Sequence, residues 1–460
     1  MSGVIEGFYG QSWSDDERVE LFGWMAAWGL NTYYYAPKDD LKHRALWRES
    51  YSPMEAGALE RAIQECAARG LQFIYGLSPG LDIRYGSESD LDRIHRRLDQ
   101  MLALGCGHVS LLFDDIPGSL DGCDLDRWPS LASAQCHVAN AVFAWLRSRR
   151  GDARLAFCPT AYCGRMVRAG LGGPDYLSTI GRDLLPDIDI LWTGPDVISR
   201  EITVAHVQEL RGVLRRKPII WDNLHANDYD GRRFFCGPYS GRPPGLRREV
   251  SGLLSNPNCE HPLNFVPLRT LAEFLGSTTV WDARRAYLSA MEEWLPAFAT
   301  VGRSIDLDDL ILFGDCYYLP HEEGPEAVAL YESARSLLGR NPAEWGDDAE
   351  SFRGRARHLR DVCGRVTELR DRPLFHALSR RVWELREELD LLDRYMDQAL
   401  NAAGSDAPAS SDFHLEGTYR GGMVARLQRL LVPGPDGTFT PACGTKTEAE
   451  GASRRRGHVV

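Results

Sequence analysis

The sequence predicts an α/β protein: a (β/α)8 TIM barrel followed by an all-α helical bundle. Three observations lead there. Short runs of apolar, β-branched and aromatic residues recur through about the first 280 residues of the 460-residue chain. Amphipathic helical patterns fill the gaps between those runs, and after about Trp281 the runs stop and helical periodicity takes over. Strand and helix alternating at this spacing build a parallel sheet with helices outside. Eight such units fit a closed barrel, which takes ~250 residues. A doubly wound open sheet is the runner-up, but no Gly-x-Gly-x-x-Gly turn follows the first run.

In chain order, the expected strands are residues 3–9 (GVIEGFY), 31–36 (NTYYYA), 71–77 (LQFIYGL) and 108–113 (HVSLLF). They continue with 154–158 (RLAFC), 188–192 (IDILW), 218–221 (PIIW) and 263–266 (LNFV). Helical periodicity covers 15–28, 54–69, 90–104 and 131–147 between them. Beyond the barrel it covers 283–299, 325–338, 349–369 and 375–400. In the last of these, Leu378, Val382, Leu385, Leu389, Leu392 and Met396 step by four and three alternately, which makes a seam for another helix. We read that seam as part of an intradomain bundle, with a homodimer contact or a substrate-flanking wall as alternatives. The domains are therefore 1–280 (barrel), 281–400 (helical) and 401–460. In the last segment, 402–411 reads as a linker, 419–431 as a short docking helix and 445–460 as a disordered tail.

Composition excludes several classes. A 43% hydrophobic share with 12 Trp supports a large core, and a net charge of −12 spread along the chain disfavours nucleic acid as a partner. No run of 18 apolar residues occurs, so no membrane span is expected. The 11 Cys form no CxxC pair, and strand-like residues begin at Gly3, leaving no room for a leader; both features suggest a cytoplasmic protein with reduced thiols.

The ends of the runs carry the chemistry. Glu6-Gly7, Lys38-Asp39-Asp40, Asp114-Asp115, Thr160 with Tyr162, Thr193 with Asp196, and Asp222-Asn223 all follow successive strands. Barrel active sites lie at these C-terminal ends. A polar cup lined by Tyr and Trp suits a sugar, whose hydroxyls take Asp, Asn and Lys partners while its apolar face takes an aromatic. No metal is expected: a calcium loop with Gly231 at its sixth position would begin at Ala226 and end at Gly237, lacking both carboxylates, and HExxH is absent. No Gly-x-Ser-x-Gly elbow occurs either.

Paired carboxylates remain, and Asp114-Asp115 are adjacent. An ordinary glycosidase sets its acids across the scissile bond, ~5–5.5 Å apart if retaining and ~6.5–9.5 Å if inverting. Neighbours on one strand end reach opposite faces of a ring poorly. On a glycoside, a 2-acetamido group of the substrate would then act as the nucleophile, with one acid orienting it and the other protonating the leaving oxygen.

Residues 3–10 (GVIEGFYG), 35–40 (YAPKDD), 113–116 (FDDI), 158–164 (CPTAYCG), 192–195 (WTGP), 221–230 (WDNLHANDYD) and 256–260 (NPNCE) resemble glycoside hydrolase family 84. The likeness reaches the helical region through 317–324 (YYLPHEEG). This family holds protein O-GlcNAcases and related β-N-acetylglucosaminidases. The resemblance implies a retaining exo-β-N-acetylglucosaminidase that needs no cofactor or metal and works through an oxazoline intermediate. It implies that Asp114 orients the acetamido group and Asp115 is the general acid, then base, with Tyr162 near the acetamido and anomeric region. Gly7 (by its backbone) and Lys38 would hold the 3-hydroxyl side, Asn223 the acetamido side, and Asp228 with Asn256 the 4- and 6-hydroxyls, while Trp221 walls the pocket. The implied partner is a GlcNAc-bearing glycoprotein or small glycoside. The alternatives are a non-catalytic GlcNAc-binding protein and a hyaluronidase-type endo-hexosaminidase.

Overall fold

The computed structural model describes residues 1–277, 280–401, 421–434 and 439–442. Eight parallel strands close a barrel in chain order: β1 (Ser2–Glu6), β2 (Thr32–Tyr35), β3 (Gln72–Leu77), β4 (His108–Leu112), β5 (Arg154–Cys158), β6 (Asp189–Trp192), β7 (Ile219–Asp222) and β8 (Gly252–Ser255). Closure is made where β8 pairs with β1, with Gly3 opposite Leu254 and Val4 opposite Ser255. The strands read as near-continuous apolar runs because they are buried on both faces. Their inward side chains, Ile5, Tyr34, Ile74, Leu112, Cys158, Leu191, Ile219 and Leu254, fill the interior, and Tyr162 and Trp221 pack on the same cluster. The site above thus stands on a solid floor.

Helices start where serines cap them. Ser14 and Ser52 each form a reciprocal capping box, with Glu17 and Glu55, at the helices Asp15–Ala27 and Pro53–Ala68. Ser87, Ser130 and Thr203 cap three further crossover helices without the reciprocal bond, each hydroxyl accepting from an amide three residues on.

The eighth strand corrects the sequence reading. Residues 263–266 are not a strand: His261–Asn264 is a 3-10 turn leading into the helix Phe265–Gly276. Leu263 and Val266 are buried, but at helical spacing. The true β8 contains only Leu253 and Leu254 as apolar residues, too short a run to signal a strand. Gly252 admits it beside Met1, since an added Cβ there would lie 2.9 Å from the Met1 Cβ.

The chain divides into two compact units, Met1–Trp294 and Leu295–Val460, with the helix Ala283–Trp294 in the first. In the second, Gly346–Val366 and Arg372–Asn401 pack side by side, and the seam from Leu378 to Met396 is buried. Arg353 and Arg360 of one helix pair with Asp393 of the other at 2.7 and 3.0 Å. The helix Gly422–Gln428 also packs on Arg372–Asn401. In this unit the sequence reading did not include the helix Leu307–Asp315 or an antiparallel pair, Leu431–Pro433 with Phe439–Pro441. The expected linker at 402–411 and tail at 445–460 lie outside the described residues. Among the described residues no helix is long and apolar enough to cross a membrane.

Candidate active site

The C-terminal strand ends separate into struts and free chemistry. Glu6, at the end of β1, is fully buried and committed: it receives Arg18 at 2.8 and 2.9 Å, the Trp13 amide and the Tyr33 hydroxyl. Asp222, at the end of β7, is clamped by Nη2 and Nε of Arg242 (2.6 and 2.7 Å) and by the Tyr239 hydroxyl. Asp40 accepts from the hydroxyls of Tyr35 and Tyr51 and shapes its turn through the amides of Lys42 and His43. Thr160 takes the Gln135 amide, and Thr193 donates to the Asp196 carbonyl. These residues hold loops.

The remaining polar groups converge above the barrel floor. Lys38, beyond β2, is buried and brings its ammonium 2.7 Å from Asp114 Oδ2 and 5.6 Å from the centre of the Trp221 ring. The Arg44 guanidinium lies 3.9 Å from the same oxygen. Burial pushes the Asp114 carboxyl up, but Lys38 first and Arg44 second outweigh it and hold the group below the usual carboxylate range. Asp114 Oδ1 is buried and meets no hydrogen-bond donor among the described residues. An ionised, buried carboxylate with one uncommitted oxygen is a ready acceptor for a ligand N–H.

Asp115 differs in every respect. Its side chain is exposed, and its backbone takes the left-handed conformation (φ 51°) that side chains rarely adopt. Arg44 secures this turn by donating to the carbonyls of Asp114 (3.2 Å) and Asp115 (2.8 Å). Tyr162 donates to Asp115 Oδ1 at 2.7 Å and Tyr9 to Oδ2 at 2.9 Å. Burial, then the Asp115 charge, raises the Tyr162 phenol above its ordinary value, so it stays a donor at any working pH.

The far wall is made by β7, β8 and their loops. Gly7 is required by Trp221: a Cβ on Gly7 would fall 2.4 Å from the indole Cζ2. The Asn256 side chain donates to Asn223 Oδ1 (2.9 Å), and Asn223 donates to the Val197 carbonyl (2.8 Å). Asn256 Oδ1 receives the Gly7 amide at 3.4 Å. Asp228 accepts the Tyr9 amide at 2.8 Å, and burial raises its carboxyl despite that hydrogen bond. Among the described residues no three His, Cys, Asp or Glu side chains gather to hold a metal ion.

Contacts link Gly7 with Asn256 and Asn223, and Trp221, Lys38, Asp114, Asp115 and Tyr162 with one another, while Asp228 joins them through Tyr9. Sequence reasoning missed Tyr9 and Arg44. Tyr9 had a signal, standing two residues past Gly7 in a motif already singled out. Arg44 had none, since it sits among other charged residues in a turn.

A family model described as beta-N-acetylglucosaminidase matches residues 2–302. Protein O-GlcNAcase of Rattus norvegicus and that of Mus musculus are each 44% identical to this chain over 277 residues. That is 60% of this chain and 30% of each relative, so the chain spans under a third of their length. A mutant of the Thermobaculum terrenum O-GlcNAc hydrolase superposes with a TM-score of 0.79 at 29% identity, over 87% of this chain and 85% of that one. Since the matched span takes in every barrel strand and every residue of the pocket, the chain belongs to the beta-N-acetylglucosaminidase family, glycoside hydrolase family 84.

Proposed function

We propose that the chain is a retaining exo-β-N-acetylglucosaminidase that removes terminal β-linked GlcNAc by substrate-assisted catalysis. The observation that carries this reading is the contrast within the acid pair: Asp114 is buried, held ionised and has one open acceptor oxygen, while Asp115 is exposed and accepts from Tyr162 and Tyr9. In the first step the acetamido oxygen bonds to the anomeric carbon as the glycosidic C–O bond breaks. Asp114 accepts the amide N–H and steadies the positive charge growing on the acetamido group. Asp115 gives its proton to the departing oxygen, which leaves with the bond pair. In the second step Asp115 takes a proton from water as that water opens the oxazoline, which restores the configuration at the anomeric carbon.

Lys38 and the Gly7 backbone serve the 3-hydroxyl side, Asn223 the acetamido side, and Asp228 and Asn256 the 4- and 6-hydroxyls, with Trp221 beneath the ring. Tyr162 turns from Asp115 toward the acetamido group when sugar enters. Relatives named protein O-GlcNAcase favour GlcNAc on Ser or Thr as the substrate. A cytoplasmic location fits the buried thiols of Cys66, Cys136 and Cys363, each pushed up to about 12 by burial and so protected from oxidation; cell fractionation tests it. A homodimer through the helical unit needs a face other than the Leu378 to Met396 seam, and sedimentation would detect it.

The test is leaving-group dependence. Asp115→Ala should lose about 10²–10⁴-fold on alkyl glycosides or glycopeptides and far less on nitrophenyl β-GlcNAc, which needs little protonation. Asp114→Ala should lose activity on both. Equal losses for Asp115→Ala on the two substrate types would overturn the role assignment.

A further inference from the structure

We propose that Tyr9 is the residue that positions Asp115, holding its Oδ2 so that Oδ1 carries the transferred proton. The inference rests on the reading of Asp115 as the general acid. Burial does not hold Asp115: it is exposed and takes a left-handed backbone conformation that side-chain-bearing residues rarely adopt. Arg44 fixes the two carbonyls of the turn but does not touch the Asp115 carboxylate. The aim of that carboxylate is left to two phenols, Tyr162 on Oδ1 and Tyr9 on Oδ2.

These phenols are not equivalent. Tyr162 is the one assigned to the sugar, so its hydrogen bond to Oδ1 is surrendered on binding and that oxygen becomes available to the glycosidic oxygen. Among the described residues Tyr9 then remains as the one side chain with a hydrogen bond to the carboxylate. It is well anchored for the task. Its amide donates to Asp228 Oδ2 at 2.8 Å, its carbonyl lies 3.7 Å from the Cys259 thiol, and the Lys38 ammonium lies 5.9 Å from its ring centre. Burial, then the Asp115 charge, raises its phenol, so the hydroxyl remains a donor in both catalytic steps.

Tyr9→Phe removes the hydroxyl alone and leaves the ring and the amide bond to Asp228. With the full chain, kcat/KM on methyl β-GlcNAc, which reports the protonation step, should fall about tenfold, while kcat/KM on nitrophenyl β-GlcNAc stays within about twofold. The double variant Tyr9→Phe/Asp115→Ala should be no slower than Asp115→Ala. Equal losses on the two substrates, no loss on either, a change confined to KM, or an added loss in the double variant would each overturn the proposal. Asp115→Ala separates the two levels. If it shows the leaving-group dependence and Tyr9→Phe does not, only the role of Tyr9 falls. If it shows none, the acid assignment falls and Tyr9 with it.

Discussion

The Lys38 ammonium lies 2.7 Å from one oxygen of Asp114, while the other oxygen of that carboxylate, also buried, meets no donor among the described residues. The lysine thus keeps the acid charged without using up its capacity to bind. Lys38→Met removes the larger of the two cationic influences on Asp114 and leaves burial less opposed. The sign follows from a carboxyl whose folded pKa is depressed: its contribution to stability is present above the unfolded pKa and is lost as pH falls through the folded one. In the variant Asp114 takes up its proton at higher pH, so the acid limb of kcat/KM moves upward and stability at mildly acidic pH drops. Paired pH profiles of activity and melting temperature check this; an unmoved acid limb would contradict it.

Gly7→Ala places a methyl 2.4 Å from the Trp221 ring, which rests on the barrel core and is the proposed wall for the sugar. Relief by moving the indole should cost about 1–3 kcal/mol of stability and raise KM more than it lowers kcat. Steady-state kinetics with denaturant melts would show whether the ring has been displaced.

Tyr162→Phe deletes the donor to Asp115 Oδ1. In the proposed mechanism that hydroxyl turns to the acetamido group in the bound complex, and losing a hydrogen bond to the charge developing there, about 1.5–3 kcal/mol, predicts a drop of roughly ten- to a hundredfold in kcat/KM. Melting temperature should hardly change, because the phenol ring still packs on the floor. A large loss of stability instead would make Tyr162 a structural residue.

Asp222→Ala should behave oppositely. It strands the fully buried Arg242 guanidinium, and removing one partner of a buried pair costs about 3–5 kcal/mol. Chemical denaturation should show that loss, while protein that remains folded keeps the leaving-group behaviour of the unmodified chain. Selective loss on poor leaving groups would bring Asp222 into the chemistry.

The barrel was legible where strands are long and buried on both faces, as at residues 71–77 and 108–113, because a continuous apolar run then has one reading. It failed at β8, where two leucines do the work and a neighbouring apolar stretch belongs to a helix. The site was legible as a ring of polar strand ends, and only in part as roles. Glu6, Asp114 and Asp222 are the same kind of group at the same place in the fold. Their fates are set by Arg18, Lys38 and Arg242, each brought from another part of the chain by folding. The Asp114-Asp115 pair stood out, but nothing in the sequence announces that Arg44 ties down its turn.

The left-handed turn at Asp115 has a mechanical consequence. Along a strand, neighbouring side chains diverge to opposite sides, so two consecutive acids would ordinarily face different surroundings. The left-handed residue keeps that contrast on two adjacent positions, Asp114 enclosed and Asp115 exposed, joined by a single peptide unit. Any drift of β4 would carry the proposed orienter and proton carrier together, and the spacing between them would survive it.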